Sequence, residues 1–155
     1  GGGGGAASAV LEQLIAAWER SGVDAGKVSD MKSMLWHKML WNCGFNAMTA
    51  LTRCYARDIA TDEDSVRWVR VAMQEAIDVA RAESVQLPED AIEQHLALTM
   101  KAGTVKTSMW QDIESGVATE VDYLNGLIVR LGELHAIDTP ANSHLLARVH
   151  GIESQ

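Results

Sequence analysis

Residues Trp36 to Asn46 read WHKMLWNCGFN, and the placement of this stretch decides the fold. On a helical wheel of roughly 100° per residue, Lys38, Asn42 and Asn46 drift only about 40° per step. Thr49 and Arg53 fall in the same sector. Trp41, Phe45 and Met48 flank that sector on one side, and Leu35 and Met39 on the other. Leu40, Cys43, Ala47, Leu51 and Cys54 fill the far face. A helix apolar nearly all round is buried on most of its surface. The stretch therefore predicts a long, largely buried helix running from about Lys32 to Arg57.

Its narrow polar stripe has two readings. Buried amides and ammonium groups are costly unless satisfied, so the stripe must meet another protein segment or a polar ligand. In the first reading it is a structural network between packed helices. In the second, a lysine in a desolvated pocket serves as proton donor and electrostatic anchor. Periodicity does not separate the two.

Outward from the stretch, the pattern stays helical. Val10, Leu11, Leu14, Ile15 and Trp18 form one face of a first helix ending at Ser21-Gly22, and VDAGKVSDM has room for one brief strand. Thr61-Asp62-Glu63-Asp64 reads as a capping box opening a helix through about Glu83. Pro88 starts the next, to Lys101. Ser108-x-x-Gln111 reads as the cap of a short helix that stops at Gly116. Thr119-x-x-Asp122 reads as the cap of one reaching His135, with Asn125-Gly126 inside it and Gly126 as a close helix contact. Thr139-Pro140 puts proline at the first position of the last helix.

The 155 residues suffice for one domain. Thirteen basic and twenty-one acidic residues give a net charge of -8, which argues against nucleic-acid or anionic-membrane partners. No apolar run is long enough to span a bilayer, and no signal peptide is visible. Cys43 and Cys54, roughly 16 Å apart on one helix, cannot bridge; two buried thiols and an intracellular, cytoplasmic setting are expected. No cysteine or histidine spacing suits zinc, so no metal is expected. The five histidines have no evident partner and read as surface or packing residues. GGGGGAASAV formally satisfies a dinucleotide-binding glycine pattern but lacks the preceding strand that the pattern requires. The five glycines read as a linker, a tag scar or a placeholder.

WHKMLWNCGFNAMTALT, TSMWQDIESGVATEVDYLNG and HAIDTPAN together resemble the C-terminal domain of the ketopantoate reductase (2-dehydropantoate 2-reductase) family, in that family's order. The resemblance covers about residues 32 to 150. It implies an all-α fold like the C-terminal domain of 6-phosphogluconate dehydrogenase and ketopantoate reductase. Residues 1–5 would be linker, 6–31 the remnant of an upstream α/β Rossmann domain, and 32–155 the helical substrate domain.

The resemblance also implies roles. Lys38 matches the catalytic acid, Asn42, Asn46 and Ser108 the substrate-binding residues, Asp112 a motif aspartate at the substrate side, and Glu120 the glutamate beside lysine and nicotinamide, paired with Lys38. The implied cofactor is NADPH, held mainly by the upstream domain. The implied substrate is a small 2-oxo acid, and a homodimer is an open possibility. The family's further asparagine has no counterpart in TRCYARD, where Arg53 and Arg57 could face an anionic substrate instead. Singly, each residue has a plainer reading: Ser108 as a cap, Glu120 as an acid favoured in a first turn, Asp112 as a solvent-facing residue. A non-catalytic helical interaction module, or a reductase of another 2-oxo acid, are the alternatives.

Overall fold

A computed structural model describes residues 13, 16, 17, 20–22 and 25–155. Seven α-helices follow one another in its continuous part: α1 (Ala25–Thr52), α2 (Ala56–Thr61), α3 (Glu63–Ala82), α4 (Ala91–Lys101), α5 (Ser108–Ser115), α6 (Asn125–Leu134) and α7 (Pro140–Glu153). A 3₁₀ turn, Val121–Tyr123, precedes α6. No described residue lies in a strand, so the domain is all-α. The brief strand allowed in VDAGKVSDM is not formed: Ala25 to Met31 are already helical, and Val23 and Asp24 lie outside the described residues. The apolar face expected from Val10 to Trp18 and the terminal glycines also lie outside them; the turn at Ser21-Gly22 is present.

Helix α1 is the axis of the domain. It packs against α3, α5 and α7, while α6 pairs with α7. Leu40, Cys43, Phe45, Ala47, Met48 and Ala50 are buried around it, as its nearly continuous apolar surface requires. Gly44 lets α3 approach, because a Cβ there would sit 3.0 Å from the end of Met73 and 3.1 Å from Val69. Trp41 stacks on Phe45 with centroids 5.1 Å apart, and its indole N–H donates to Thr99 Oγ at 2.9 Å, which ties α4 to the axis.

The axis stops at Thr52, five residues short of the expected Arg57. The Thr52 hydroxyl donates to its own helix at Met48 O (2.6 Å). Arg53 then turns left-handed (φ 56°) and its N–H closes on Thr49 O at 2.9 Å. Cys54 consequently leaves the helix and is exposed, not buried; Cys43 is buried, and both thiols are free.

Three caps sit one residue away from their expected places or act differently. Asp62, not Thr61, caps α3 by accepting from Ser65 N at 2.9 Å. Thr107, not Ser108, caps α5 by accepting from Trp110 N. Thr119 holds only the 3₁₀ turn, through Val121 N, and its hydroxyl donates to Glu153 at 3.1 Å. The helix expected from Thr119 is broken at Leu124 (ψ −90°), so Asn125 and Gly126 open α6 instead of lying inside a longer helix. Gly126 is buried but only in ordinary contact; the tight glycine is Gly132, where a Cβ would fall 2.8 Å from Ile137 O.

Candidate active site

The residues of the polar stripe separate along α1. Lys38 is exposed, Asn42 half-buried, and Asn46 and Thr49 buried. The desolvated lysine expected from the wheel is therefore not found in this chain. Met34, one turn earlier on the same side, is 71 % exposed, so the lysine stands on an open, partly apolar surface. At 1.5 Å per residue Lys38 and Asn42 are about 6 Å apart, Lys38 and Asn46 about 12 Å, and Lys38 and Arg53 about 22 Å. Arg53 belongs to a different neighbourhood, where its charge, after the Lys106 hydrogen bond, helps hold the Glu114 carboxyl below its usual range. Arg57 is exposed on α2.

Helix α5 supplies the next residues. Its N-terminus is fixed at several points. Lys106 Nζ donates to both Glu114 oxygens at 2.8 Å and lies 4.9 Å from the centroid of Trp110. Gln111 Nε2 donates to Lys106 O at 3.0 Å. Thr107 Oγ meets Thr49 Oγ at 2.6 Å in the core, and Thr49 Oγ meets Asn46 O at 2.9 Å. The turn of α1 that carries Asn46 and the residue before Ser108 are thus joined directly.

With Thr107 as cap, Ser108 is released from the role that its sequence position suggested. It is the first residue of α5, exposed, and its hydroxyl has no partner among the described residues. Asp112 works through its backbone: its carbonyl accepts from Val117 N at 2.9 Å as Gly116 turns left-handed (φ 71°), the Schellman arrangement that ends a helix. Its half-buried carboxylate has no hydrogen-bond partner among the described residues.

Glu120 is exposed and precedes the 3₁₀ turn, where its carbonyl accepts from Tyr123 N at 2.9 Å. Its side chain makes no cap. The expected Lys38–Glu120 ion pair is not formed within 4 Å; among the described residues both side chains are without an ionic partner.

The histidines, by contrast, have partners. His37 and His95 meet at 3.0 Å, His135 meets Glu83 at 2.8 Å, His150 meets Asp122 at 2.8 Å, and His144 stacks on Trp68. Spacing did not show these pairs because each joins different elements. Two open grooves of ≈ 640 and 660 Å³ border the Trp68–His144 stack. Neither is lined by Lys38, Asn42, Asn46, Ser108 or Glu120. No three His, Cys, Asp or Glu side chains gather as metal ligands among the described residues. No helix among them is long and apolar enough to cross a membrane.

The architecture is that of an all-helical domain built round one long helix, with Lys38 on that helix and Ser108 at the start of a short one exposed. The family described as "Ketopantoate reductase PanE/ApbA C terminal" matches residues 30–153. A 2-dehydropantoate 2-reductase of Caulobacter vibrioides is 35 % identical over 138 residues, 88 % of this chain and 47 % of that protein. The ketopantoate reductase of Ralstonia eutropha JMP134 superposes with a TM-score of 0.74 at 37 % identity, covering 79 % of this chain and 41 % of the other. D-mandelate dehydrogenase with NADH superposes with a TM-score of 0.69 at 25 % identity, covering 77 % and 47 %. The chain belongs to the ketopantoate reductase family, as its C-terminal helical domain. It spans about half the length of the curated relatives it matches.

Proposed function

We propose that this chain is the substrate-side domain of an NADPH-dependent 2-oxo acid reductase, most simply one that converts 2-dehydropantoate to pantoate in pantothenate synthesis. The observation that carries the reading is the availability of its polar groups. Lys38, Ser108 and Glu120 are exposed and have no side-chain partner among the described residues, although the sequence offered each of them a structural role. Groups left unengaged, with Lys38 one turn from exposed Met34, suit a cleft whose other wall is a nucleotide-binding domain.

Residues 32–155 are read as that substrate domain and 6–31 as the end of the preceding one, with the join inside α1, which is already helical from Ala25. Within the described residues nothing resembles a strand-and-glycine turn for a dinucleotide, so the cofactor would be held chiefly by the other domain. Glu120, with an unengaged carboxylate, fits a contact to it. The nicotinamide supplies hydride when bound.

This chain's residues would do the rest. As negative charge builds on the substrate C2 oxygen, the Lys38 ammonium stabilises it and delivers a proton to that oxygen. Asn42 and Asn46 can each donate and accept, which suits a substrate bearing hydroxyl and carboxylate groups. Ser108 adds a hydroxyl from α5, and Asp112 stands one turn further along that helix.

NADPH oxidation by the full-length protein with ketopantoate, beside its Lys38→Ala variant, tests the reading. Turnover lost by about 10² to 10⁴ in the variant supports both reaction and acid. A variant of near-full activity removes Lys38 from the role. An enzyme that binds NADPH but ignores ketopantoate keeps the reaction class and moves the substrate to another 2-oxo acid, in line with the neighbour named for mandelate.

A further inference from the structure

The contact between Thr49 and Thr107 has only one consistent hydrogen-bond direction. Trp110 N can only donate, and does so to Thr107 Oγ at 3.3 Å. Asn46 O can only accept, and takes the Thr49 hydroxyl proton at 2.9 Å. The 2.6 Å bond between the two hydroxyls must then run from Thr107 to Thr49. Each hydroxyl donates once and accepts from its neighbour, so a directed chain runs Trp110 N–H, Thr107, Thr49, Asn46 O. Thr49 is fully buried and Thr107 nearly so. Water cannot replace either partner cheaply in such a place.

We infer that Thr49 and Thr107 are positioning residues, which set the Ser108 hydroxyl in register with the turn of α1 that bears Asn46. The inference rests on the 2-oxo acid reading of that site. Thr107 is covalently next to Ser108, and the bond from Thr49 ends on the backbone of Asn46. Displacement at either hydroxyl therefore moves two substrate-binding groups relative to one another and leaves Glu120, on another segment, in place. Lys106, held by Glu114 and Trp110, steadies the other side of Thr107. Neither threonine reaches the reacting atoms.

The test is steady-state kinetics of the full-length protein with Thr49→Val, which keeps shape and removes the hydroxyl, and Thr49→Ser, which returns it. The valine variant is expected to raise KM for the 2-oxo acid about tenfold, worth about 1.4 kcal/mol, with KM for NADPH unchanged. The serine variant is expected to recover most of that loss, which a general packing role of the threonine methyl would not allow. A folded valine variant with unchanged KM for the oxo acid overturns the inference, as does an equal rise for both substrates.

Amide exchange in the wild-type protein reads the chain without any variant. Slow exchange at Trp110 N–H is expected, and exchange at the rate of an open turn overturns the hydroxyl relay even if Thr49→Val does not fold. A wild type that reduces no 2-oxo acid overturns the functional reading instead, and with it the role given to the threonines, while exchange still judges the relay.

Discussion

Glu75 and Asn142 meet in the core at the start of the last helix. Glu75 Oε1 accepts from Asn142 N at 3.0 Å and from Asn142 Nδ2 at 2.9 Å, while Oε2 accepts from Ala141 N at 2.9 Å. A buried carboxylate thus satisfies the open N–H groups of α7 and faces the positive end of its dipole. Asn142 extends the network to Ala72 O at 3.1 Å, and Asn125 Nδ2 joins Asn142 Oδ1 to Cys43 O at 3.0 and 2.9 Å. Four helices are pinned at one polar knot. Glu75→Ala leaves these donors buried and unpaired, so a loss of about 3 kcal/mol or more is expected in urea denaturation. Glu75→Gln, which keeps one acceptor oxygen, should lose less.

Gly132 and Gly44 predict opposite outcomes for one substitution. At Gly132 a Cβ meets Ile137 O and Thr139 Cγ2, both at 2.8 Å, and the same turn carries the Ile137 N–H bond to Gly132 O at 2.8 Å. Backbone cannot yield as a side chain can, so Gly132→Ala should cost about 2 kcal/mol. At Gly44 the nearest atom is the terminal methyl of Met73, which can swing aside. Gly44→Ala should cost less than half as much in the same denaturation series.

The two thiols should separate cleanly by access. Burial first, and the Glu75 charge second, push the Cys43 thiol well above its ordinary value; Cys54 is exposed beyond the end of α1. A neutral thiol reagent at pH 8 is expected to label Cys54 alone in the native protein and both residues in denaturant. Equal labelling of both in native conditions would contradict the burial of α1.

The helical class and the extensive burial of α1 were legible because one signal, an apolar surface nearly all round, repeats over many residues. Single-residue features were less legible. Thr107 and Ser108 are adjacent and both suit an N-cap, and only the core partner Thr49 chooses between them. The end of α1 carried no glycine or proline to announce it; the Thr52 hydroxyl and the left-handed Arg53 end it through local geometry. The Glu75 knot contains hydrogen bonds between residues up to 82 positions apart in the chain, so no local pattern could contain it. The exposure of Lys38 was not legible for a related reason: periodicity shows which residues share a face, and the exposure of that face depends on what packs there.

The His37–His95 pair adds a pH dependence with a definite sign. Burial, and then the neighbouring His37, hold the His95 imidazole below its ordinary value of 6.5. The unfolded chain therefore binds the proton more readily than the folded one between the two values. The pair's stability is present above pH 6.5 and is lost as pH falls through that value toward the lower folded one. Thermal unfolding at pH 7.5 and 5.5 should show this loss in the wild type and a smaller loss in His95→Gln. An identical pH dependence in both proteins would remove the pair as its cause.

Lys38 offers the sharpest separation between an enzyme domain and an interaction module. Its side chain is exposed and its ammonium has no ionic partner among the described residues, so little folding energy depends on it. Surface substitutions of this kind change stability by no more than about 0.5 kcal/mol. A lysine in a packing network would behave otherwise, because its loss would strand buried amides. Lys38→Ala is therefore expected to unfold at the wild-type denaturant midpoint while losing about 10² or more in turnover. A midpoint shifted by several tenths molar, with turnover intact, would return the stripe to a structural role.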